Sequence, residues 1–585
     1  MNIEGESDEH LKALSEDDIH EDDSTSEDSM ESEYEDPPEV TLSSLTETRQ
    51  AELTIPVLKQ RSYTGAFVIP SALVNTPCAD LGVIGFVENL NAALGTSYTT
   101  DEVYPALNSI LDFYKGHNCD FGTAYAHFRR VHRGNIAAIN LRELRKKERR
   151  DQKMRQDVLG DGRITERSVP PRRVWALEAN RVVPYWVARK DEDGLQVDIW
   201  GISHAWMDDK ERVDVMTPIN GYEWPVPVPK DANLDLIRIE MLNLGAKYAW
   251  LDVLCLRQLG GRGEHLRKEE WKLDVPTIGC VYDEPDAYVV CYFNGLGQPL
   301  GLPPDFDSDR SWFRRAWTLQ EIGDSIRRII TGGETGDDSI SRAFREQLKS
   351  LDDLWQVENA LSQMQKRVST NPTDRVAGLA YLLNTEYIPT YDAEQSEESA
   401  WVALVNALGW QSRMSLLFCY PEAGNGSKCW RASWEQVMNT TFPFLEKVGY
   451  WYNRVGRTKE TDVDWYQGPY IKLANVRGLA DTSIQENPRR GELVFKDETE
   501  EPHTFDILAD HQYPIPDGSY TLIGGDSQVY DGYQDDGTRG YITIESKMWV
   551  VGKQRPDGKF EKLSVVRVDG NLEDLSQSKV TMVLC

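Results

Sequence analysis

Apolar and polar positions follow different periods in different parts of the chain. Between about 52 and 165, apolar residues recur at helical spacing, most clearly from Phe121 to Val131. Past residue 340 the spacing is helical again, and from about 515 alternate residues are apolar, which predicts strands. The turn sequence Pro556-Asp557-Gly558 predicts a hairpin between two of these strands.

The region between these two helical parts alternates short apolar runs with helical segments. One helical segment, Leu234 to Leu244, ends before Gly245. Alternating strands and helices with apolar strands are typical of a parallel sheet covered on both faces, so we predict a doubly wound α/β fold. The strand candidates are Val182 to Ala188, Val197 to Ser203, Tyr248 to Leu254, Ala287 to Phe293 and Arg327 to Thr331.

Composition divides the chain further. The first 40 residues hold 17 acidic side chains and one lysine, a net charge of −16, which is half of the total of −32. Such a segment cannot bury enough apolar surface to offset the entropy of ordering. We therefore expect a disordered acidic tail at 1–48, a helical region at 52–165, an α/β domain at 170–340, a helical region at 341–412, and a mixed, β-rich region at 413–585.

Charge and cysteine usage exclude several classes of function. An isoelectric point near 4.8 disfavours nucleic-acid binding. The basic run Leu141 to Arg150 is expected to be a solvated helix, or one that folds against the acidic tail, rather than a phosphate-binding element. The eight cysteines include no C-x-x-C pair, so we expect reduced thiols and no metal site. Without a signal peptide or an apolar span, we expect no membrane association and a cytosolic location.

Three polar clusters follow predicted strands or a strand-to-helix loop. They are Ser203-His204-Ala205-Trp206, Trp250-Leu251-Asp252 with Arg257 and Gln258, and Arg315-Ala316-Trp317-Thr318-Leu319-Gln320-Glu321. Because the carboxyl ends of parallel strands meet at one sheet edge, these clusters are expected to converge.

The third cluster lies in a run, Ser311 to Ile322, without helix breakers, and we predict a helix there. Residues four apart share a helix face, so Trp317 is expected to shield the Glu321 carboxylate from water. A carboxylate in such a place would act as an electrostatic or acid/base group. The alternative is a solvated glutamate on an amphipathic helix with Trp317 in the core.

The ordered trio resembles the signature motifs of the heterokaryon incompatibility (HET) domain of filamentous fungi: a serine-histidine-tryptophan strand end, W-[IL]-D-x-x-C-[IL]-x-Q and R-x-W-T-x-Q-E. The HET domain is in turn similar to the Toll/interleukin-1 receptor (TIR) domain, whose helix carries W-x-x-x-E. The resemblance implies a TIR/flavodoxin-like sheet and makes Glu321 the catalytic candidate for NAD cleavage. The substrate-binding candidates are Ser203, His204, Trp206, Asp252, Arg257, Gln258, Arg315, Trp317 and Gln320.

The chemistry implied is cleavage of the nicotinamide-ribose bond. A carboxylate stabilises the oxocarbenium-like ribose and orients water, and nicotinamide leaves as a neutral base. Trp206 or Trp317 would stack on a ring, and Arg257 or Arg315 would bind the diphosphate. NAD is then a candidate substrate, and no bound cofactor is expected.

By resemblance the chain is a fungal self/non-self recognition or programmed cell-death effector, similar to an innate-immunity protein, that self-associates and acts with protein partners of incompatibility signalling. Two other readings stay open: a non-enzymatic assembly module, and a family member without activity. Residue by residue, His204 would instead bond a buried carbonyl, Asp252 would cap a turn, and Cys255 would be a packed core thiol. Ser203 and His204 point to opposite faces of a strand, so they form no Ser-His dyad.

Overall fold

The structure is a computed structural model, in which residues Pro37–Cys585 form one compact unit. The residues that it describes are 37–101, 120–129, 141–188, 198–283, 288–301, 306, 311–322, 328–351, 354, 356–440, 453–483, 488–497, 499–525, 529–533, 539–543, 546–569, 572, 575 and 577–585. Among them, no helix combines the length and the apolar character needed to cross a bilayer.

A short hairpin and a helix open the described chain, and they correct the predicted extent of the acidic tail. Strands Glu39–Ser43 and Ser62–Ala66 pair antiparallel, and helix Ser44–Thr48 follows the first strand. Ser43 caps this helix through a reciprocal bond with Thr46. Leu42 is fully buried and anchors this segment to the core. The average composition of the acidic segment does not reveal a single apolar residue of this kind. The rest of the predicted tail lies outside the described residues.

Helices follow this hairpin in the part of the chain that the structure describes. Phe121–Phe128 confirms the helical spacing, and every residue in it but Thr123 is buried; Val131 lies outside the described residues. The basic run forms a helix that continues to Asp157. The helices are Ser71–Val74, Cys78–Leu94, Phe121–Phe128 and Leu141–Asp157.

The central sheet has six strands. Four are parallel, and two more, forming an antiparallel hairpin, extend one edge, so the sheet is mixed rather than all parallel. In spatial order the strands are Ile329–Thr331, Val289–Tyr292, Ile199–His204, Tyr248–Trp250, Arg173–Ala176 and Arg181–Pro184. Numbered along the chain, the four parallel strands stand in the order 4-3-1-2, so the first strand is central and the direction of winding changes beside it.

Two strand predictions were too long. The strand predicted to end at Ala188 stops at Pro184, where the helical turn Tyr185–Ala188 begins. The strand predicted to end at Leu254 stops at Trp250, because the Leu251 carbonyl accepts the N–H of Cys255 at 2.8 Å and opens helix Asp252–Cys255. An apolar run alone does not distinguish a strand from a buried helical turn.

Helices cover both faces of this sheet. Helix Leu234–Leu244 lies on the Tyr292 face, where Glu240 accepts the Tyr292 hydroxyl at 2.8 Å. On the other face the helical turn Gly279–Tyr282 packs so closely that a Cβ on Gly201 would lie 2.6 Å from the Tyr282 ring. Position 201, which lies on the same face of the strand as Ser203 and two residues before it, therefore has room only for glycine. Helix Arg267–Asp274 precedes that turn.

Helices follow the central sheet. The helical stretch predicted from Phe344 to Arg367 is confirmed in part: helix Asp338–Leu348 is followed by the 3₁₀ turn Lys349–Leu351, and a second helix spans Val357–Gln365. Residues 352, 353 and 355 lie outside the described residues. The helices are Asp338–Leu348, Val357–Gln365, Asp374–Ala380, Glu397–Ala407, Trp410–Phe418 and Trp434–Asn439. Between them Ile388–Pro389 pairs with Arg163–Ile164, which pairs in turn with Leu159–Gly160.

The β-rich region begins near 454, earlier than the period-two pattern indicates. The predicted hairpin is present: Ser546–Gln554 pairs with Phe560–Asp569 around a turn in which Gly558 has φ 83°. Tyr541 lies in a second hairpin with Val529–Tyr533; Ile544 lies outside the described residues. The strands are Arg454–Thr458, Val463–Arg477, Arg489–Lys496, Pro502–Ala509, Gly518–Gly524, Val529–Tyr533, Arg539–Thr543, Ser546–Gln554, Phe560–Asp569 and Gln577–Val583.

Candidate functional site

The third motif is not the single helix that we predicted. It consists of two 3₁₀ helices, Trp312–Arg314 and Trp317–Ile322, separated by the extended residue Arg315 and a bend at Ala316. The main chain between them pairs with another segment, since the Ala316 N–H donates to the Val368 carbonyl at 3.0 Å and Val368 donates back to Arg314. Backbone groups used in that pairing cannot close α-helical bonds, which explains the break.

This geometry separates Trp317 from Glu321. In a 3₁₀ helix three residues make one turn, so residues four apart point about 120° away from each other. Trp317 instead lies 6.2 Å from the Tyr391 ring and bonds the Asp374 carboxyl. The prediction that Trp317 shields Glu321 is wrong, and the indole near Glu321 belongs to Trp312.

Ser203 connects the central strand to the third motif. Its hydroxyl donates to Glu321 Oε2, and the indole N–H of Trp312 donates to Ser203 Oγ at 2.6 Å. Ser203 and Trp312 are fully buried, and Glu321 is 8 % exposed. The first and third motifs therefore meet, as the topology of the sheet predicts.

Burial dominates the electrostatics of Glu321. It raises the pKa of the carboxyl to about 7, and the Asp252 charge pushes in the same direction. The Ser203 hydrogen bond and the charges of His204 and Arg367 lower it again. Glu321 is thus about half protonated at neutral pH, which is the condition for a group that exchanges protons or responds to a neighbouring positive charge.

The second motif meets the neighbour of Ser203. His204 Nε2 lies 2.9 Å from Asp252 Oδ1, and the Trp206 indole donates to Oδ2 at 2.9 Å. Burial lowers the pKa of His204, but Asp252 outweighs it and the net shift is upward. Burial raises the pKa of Asp252, yet His204 and the bonds from Val253 and Trp206 bring it below its ordinary value. The contact between His204 and Asp252 therefore favours the protonated imidazole and the ionised carboxylate.

The structure also contains the contacts expected if His204 bonds a backbone carbonyl and Asp252 caps a turn. His204 Nδ1 lies 3.5 Å from the Ala205 carbonyl, and Asp252 Oδ1 accepts the Val253 N–H at 2.7 Å. His204 is in register with Tyr292 and Ser203 with Cys291, so the two neighbours face opposite sides of the sheet and form no dyad. Cys255 is buried, and burial raises the pKa of its thiol to about 12, as expected for a core thiol.

Arg257 and Gln258 are engaged away from Glu321. The Arg257 guanidinium is 6 % exposed and lies 3.3 Å from Glu270 and 3.2 Å from Glu223. Gln258 donates to the Leu256 carbonyl at 2.9 Å. These contacts fix the loop after the second strand, and they leave Arg257 no free face for a diphosphate.

The remaining motif residues hold the segment that follows the sheet. In the amide orientation that satisfies both neighbours, Gln320 donates to the Gly378 carbonyl at 3.2 Å and accepts from Gly279 N–H at 3.0 Å. The Arg315 carbonyl accepts from Arg367 Nη1 at 2.7 Å. Their positions indicate packing against helix Asp374–Ala380 rather than contact with Ser203.

Sequence reasoning missed three residues at this site. Trp312 stands inside the quoted run but outside the motif pattern, and only its indole contact identifies it. Thr318 donates to the Trp312 carbonyl at 2.6 Å. Arg367 comes from a different region, and no local pattern in the sequence points to it.

One group of described residues has the donor types of a metal site. Asp497, Glu501 and His503 place one ligand atom each within 4.8 Å of one another in the C-terminal sheet. Asp497 already accepts from the Thr499 and Glu501 N–H groups and lies 2.9 Å from His503 Nε2. These hydrogen bonds stabilise the turn between two strands, and they account for the close approach of the three side chains without a metal ion.

Comparison with known proteins gives no relative: no protein-family model matches the chain, and neither the curated proteins nor the solved structures contain a match.

Proposed function

We propose that the chain is a HET-like effector of self/non-self recognition and cell death that cleaves NAD, with Glu321 as its catalytic carboxylate. The observation that carries the proposal is the buried contact between Ser203 and Glu321, two residues 118 positions apart. Ser203 ends the central strand, and Glu321 comes from the motif that resembles the TIR glutamate motif.

The sheet supports the same fold family. Its four parallel strands have the order 2-1-3-4 when read from the other edge, which is the order of flavodoxin-like sheets. In such sheets ligands bind at the carboxyl ends of strands where the winding reverses. Ser203 and His204 occupy that place, and Asp252 follows the neighbouring strand.

The proposed chemistry uses few groups. Breaking the ribose-nicotinamide bond transfers the bonding electrons to nicotinamide, which leaves neutral, and positive charge develops on the ribose. The ionised Glu321 stabilises that charge, and an attacking water passes its proton to the carboxylate. Ser203 orients the carboxylate, and the His204–Asp252 pair with Trp206 supplies polar and aromatic groups at the ends of the same two strands. The substrate-binding set is thereby reduced to Ser203, His204, Trp206 and Asp252.

The test is NAD consumption by the full chain, both concentrated and forced to self-associate, beside an active TIR enzyme. We expect Glu321→Gln to abolish cleavage. Glu358→Gln is the matched control, because Glu358 is another glutamate that is 3 % exposed and whose pKa is raised by burial, but it lies in the helical region after the sheet. Intact NAD with the wild-type chain, while the TIR enzyme consumes it, rejects the proposal.

A second candidate is a non-enzymatic assembly module that acts in the cytosol through protein partners. The complete burial of Ser203 and Trp312 favours it, because the ribose of a substrate cannot reach Glu321 in this conformation. Expression in a yeast or fungal host separates the two functions. If wild type and Glu321→Gln arrest growth equally and NAD stays constant, the chain acts as an assembly module. If only wild type arrests growth and depletes NAD, the chain acts as an NAD-cleaving enzyme. If neither arrests growth, the chain is an inactive member.

A further inference from the structure

Arg367 contacts the third motif although it lies in the helical region after the sheet. Its guanidinium is buried, with 2 % exposed. Nη1 lies 2.7 Å from both the Arg315 carbonyl and Thr318 Oγ1. Nε and Nη2 have no hydrogen-bond partner in the part of the chain that the structure describes. A buried arginine with two unpartnered nitrogens is costly, so its position calls for an explanation.

A continuous set of hydrogen bonds links Arg367 to Glu321. Thr318 Oγ1, which contacts Arg367, also lies 2.6 Å from the Trp312 carbonyl. The Trp312 indole donates to Ser203, and Ser203 donates to Glu321. The backbone pairing of Val368 with Ala316 holds the two segments side by side.

The charge of Arg367 also reaches Glu321. Burial lowers the pKa of Arg367 to about 9, while Glu321 raises it and Arg314 lowers it further, so the guanidinium remains charged at neutral pH. The other groups around the Glu321 carboxyl are the Ser203 hydroxyl, the Asp252 and His204 charges, and the neutral Tyr282 phenol and Cys291 thiol. Asp252 opposes ionisation of Glu321, so His204 and Arg367 are the positive charges that favour it.

We propose that Arg367 is a positioning residue for Glu321: it holds the Trp312–Thr318 segment against the central strand and supplies one of the two positive charges near the carboxylate. The helical region after the sheet then completes the site. The catalytic consequence rests on the proposed function, whereas the effect on Glu321 itself does not.

The test is the titration of Glu321 in the full chain. The Tm difference between wild type and Glu321→Gln grows with pH between the pKa of the unfolded glutamate and the pKa of folded Glu321. Its slope against pH, measured from pH 5 to 9, therefore falls to half of its largest value at the pKa of folded Glu321, and we call that pH the midpoint. The same midpoint is then measured in the Arg367→Met background, from the Tm difference between Arg367→Met and the double variant Arg367→Met/Glu321→Gln. We expect it to lie higher than in the wild-type background by one pH unit or more. Arg367→Lys should restore it. An unchanged midpoint in Arg367→Met overturns the proposal.

Two further variants keep the test decisive. Arg489→Met removes another buried arginine, one that bonds only carbonyls in the C-terminal sheet, and should leave the midpoint in place. If Arg367→Met does not fold, Thr318→Val removes the hydroxyl between Arg367 and Trp312 at nearly constant volume and should shift the midpoint in the same direction; no shift there overturns the proposal. Where NAD cleavage is measurable, its acidic limb should move with the midpoint. If NAD is not cleaved at all, the proposed function fails while the titration still decides the role of Arg367.

A separate observation concerns Cys429 and Cys585, whose Sγ atoms lie 3.8 Å apart. Both thiols are partly exposed. The Trp430 N–H donates to the Cys585 carbonyl at 2.9 Å, and Cys585 N–H donates to Phe560, so the main chain holds the two thiols together. Arg555 Nη1 lies 2.8 Å from Cys585 Sγ, so a guanidinium contacts this sulfur directly.

We infer that these two thiols form a reversible disulfide when the protein meets hydrogen peroxide. The Cys585 thiolate attacks one peroxide oxygen, the O–O bond breaks to release water after protonation, and a sulfenic acid remains. The Cys429 thiolate then attacks that sulfur, the S–S bond forms and a second water leaves. Two thiols and one peroxide thus give one disulfide and two waters.

Peroxide treatment of the full chain should lower the count of free thiols by two, and non-reducing peptide mass spectrometry should show the 429–585 link, which a dithiol removes. Cys429→Ser should prevent the link, Arg555→Gln should slow its formation, and Cys280→Ser, which alters another partly exposed thiol, should leave it unchanged. Sulfinic acid at Cys585 without a linked peptide overturns the inference.

Discussion

Two carboxylates close to the same sheet edge have opposite electrostatics. Asp252 is paired with His204 and held by two further N–H donors, and its pKa lies below the ordinary value. Glu321 accepts one hydroxyl, has no charged partner in contact with it among the described residues, and has a pKa of about 7. The difference arises from hydrogen-bond donors and a charged partner, because both carboxyls experience desolvation. Where neighbouring groups have such separated pKa values, their roles separate too: Asp252 keeps a fixed charge and Glu321 titrates.

Removing the fixed charge should have the largest effect. We expect Asp252→Asn to lower the free energy of unfolding by about 3 kcal/mol near pH 5.5, the lower end for a broken buried pair, since a fifth of the Asp252 side chain is exposed. Asp252 has a lowered pKa, so its contribution is present above about pH 4 and is lost as pH falls. His204 has a raised pKa, so its contribution is present below about pH 6.5 and is lost as pH rises. The measurement is chemical denaturation from pH 4 to 8.

A pair without histidine supplies the control for that experiment. Asp464 is buried against Arg413 and the Trp430 indole. Asp464→Asn should be destabilising by a similar amount from pH 6 to 8, because the arginine does not titrate in that range. If the penalty of Asp252→Asn is equally flat across that range, His204 is neutral and the charged-pair description is wrong.

Glu321 should give a pH dependence of the opposite kind to that of Asp252. Its pKa is raised, so the folded state binds a proton that the unfolded state has released, and stability falls as pH rises from about 4.5 to 7. A shift to about 7 corresponds to about 3 kcal/mol between the two limits. Glu321→Gln cannot ionise, so its free energy of unfolding should exceed that of wild type increasingly toward pH 8. Urea denaturation of both proteins at pH 5 and pH 8 measures this difference; equal stability gaps at the two values would mean that Glu321 is solvated.

The part of the site that could be predicted is the part that follows from strand topology. Ser203 lies at the end of the central strand and Asp252 lies just beyond the neighbouring parallel strand, and apolar runs locate these strands although not their ends. The break in the third motif could not be predicted, because it is caused by pairing with Val368, a residue distant in the sequence. Arg367 was missed for the same reason. Local periodicity carries no information about which remote segment uses a backbone group.

In the β-rich region, strands were missed by the sequence analysis for a different reason. Its longest strand, Val463–Arg477, does not alternate buried and exposed residues regularly, because its register against the neighbouring strand shifts between Ile471 and Ala474. A bulge of this kind moves later side chains to the other face of the sheet, so apolar residues no longer alternate with polar ones along the sequence. In strand Ser546–Gln554 the register shift falls after Val551, so it leaves intact the apolar run Met548 to Val551 from which the strand was predicted.

The smallest expected effect decides which indole acts on Glu321. Trp312→Phe removes the N–H that Ser203 accepts at 2.6 Å and should cost about 1 kcal/mol. By loosening Ser203, it should also raise the pH midpoint of the Tm difference produced by Glu321→Gln. Trp317→Phe instead removes a bond to Asp374, whose pKa burial raises to about 6 and the Tyr391 and Trp317 bonds lower, so it should raise the pKa of Asp374 and leave the Glu321 midpoint unchanged. Tm measured against pH for both variants, each with and without Glu321→Gln, separates them. A shift of the Glu321 midpoint by Trp317→Phe alone would restore the helical pairing that the W-x-x-x-E spacing predicts.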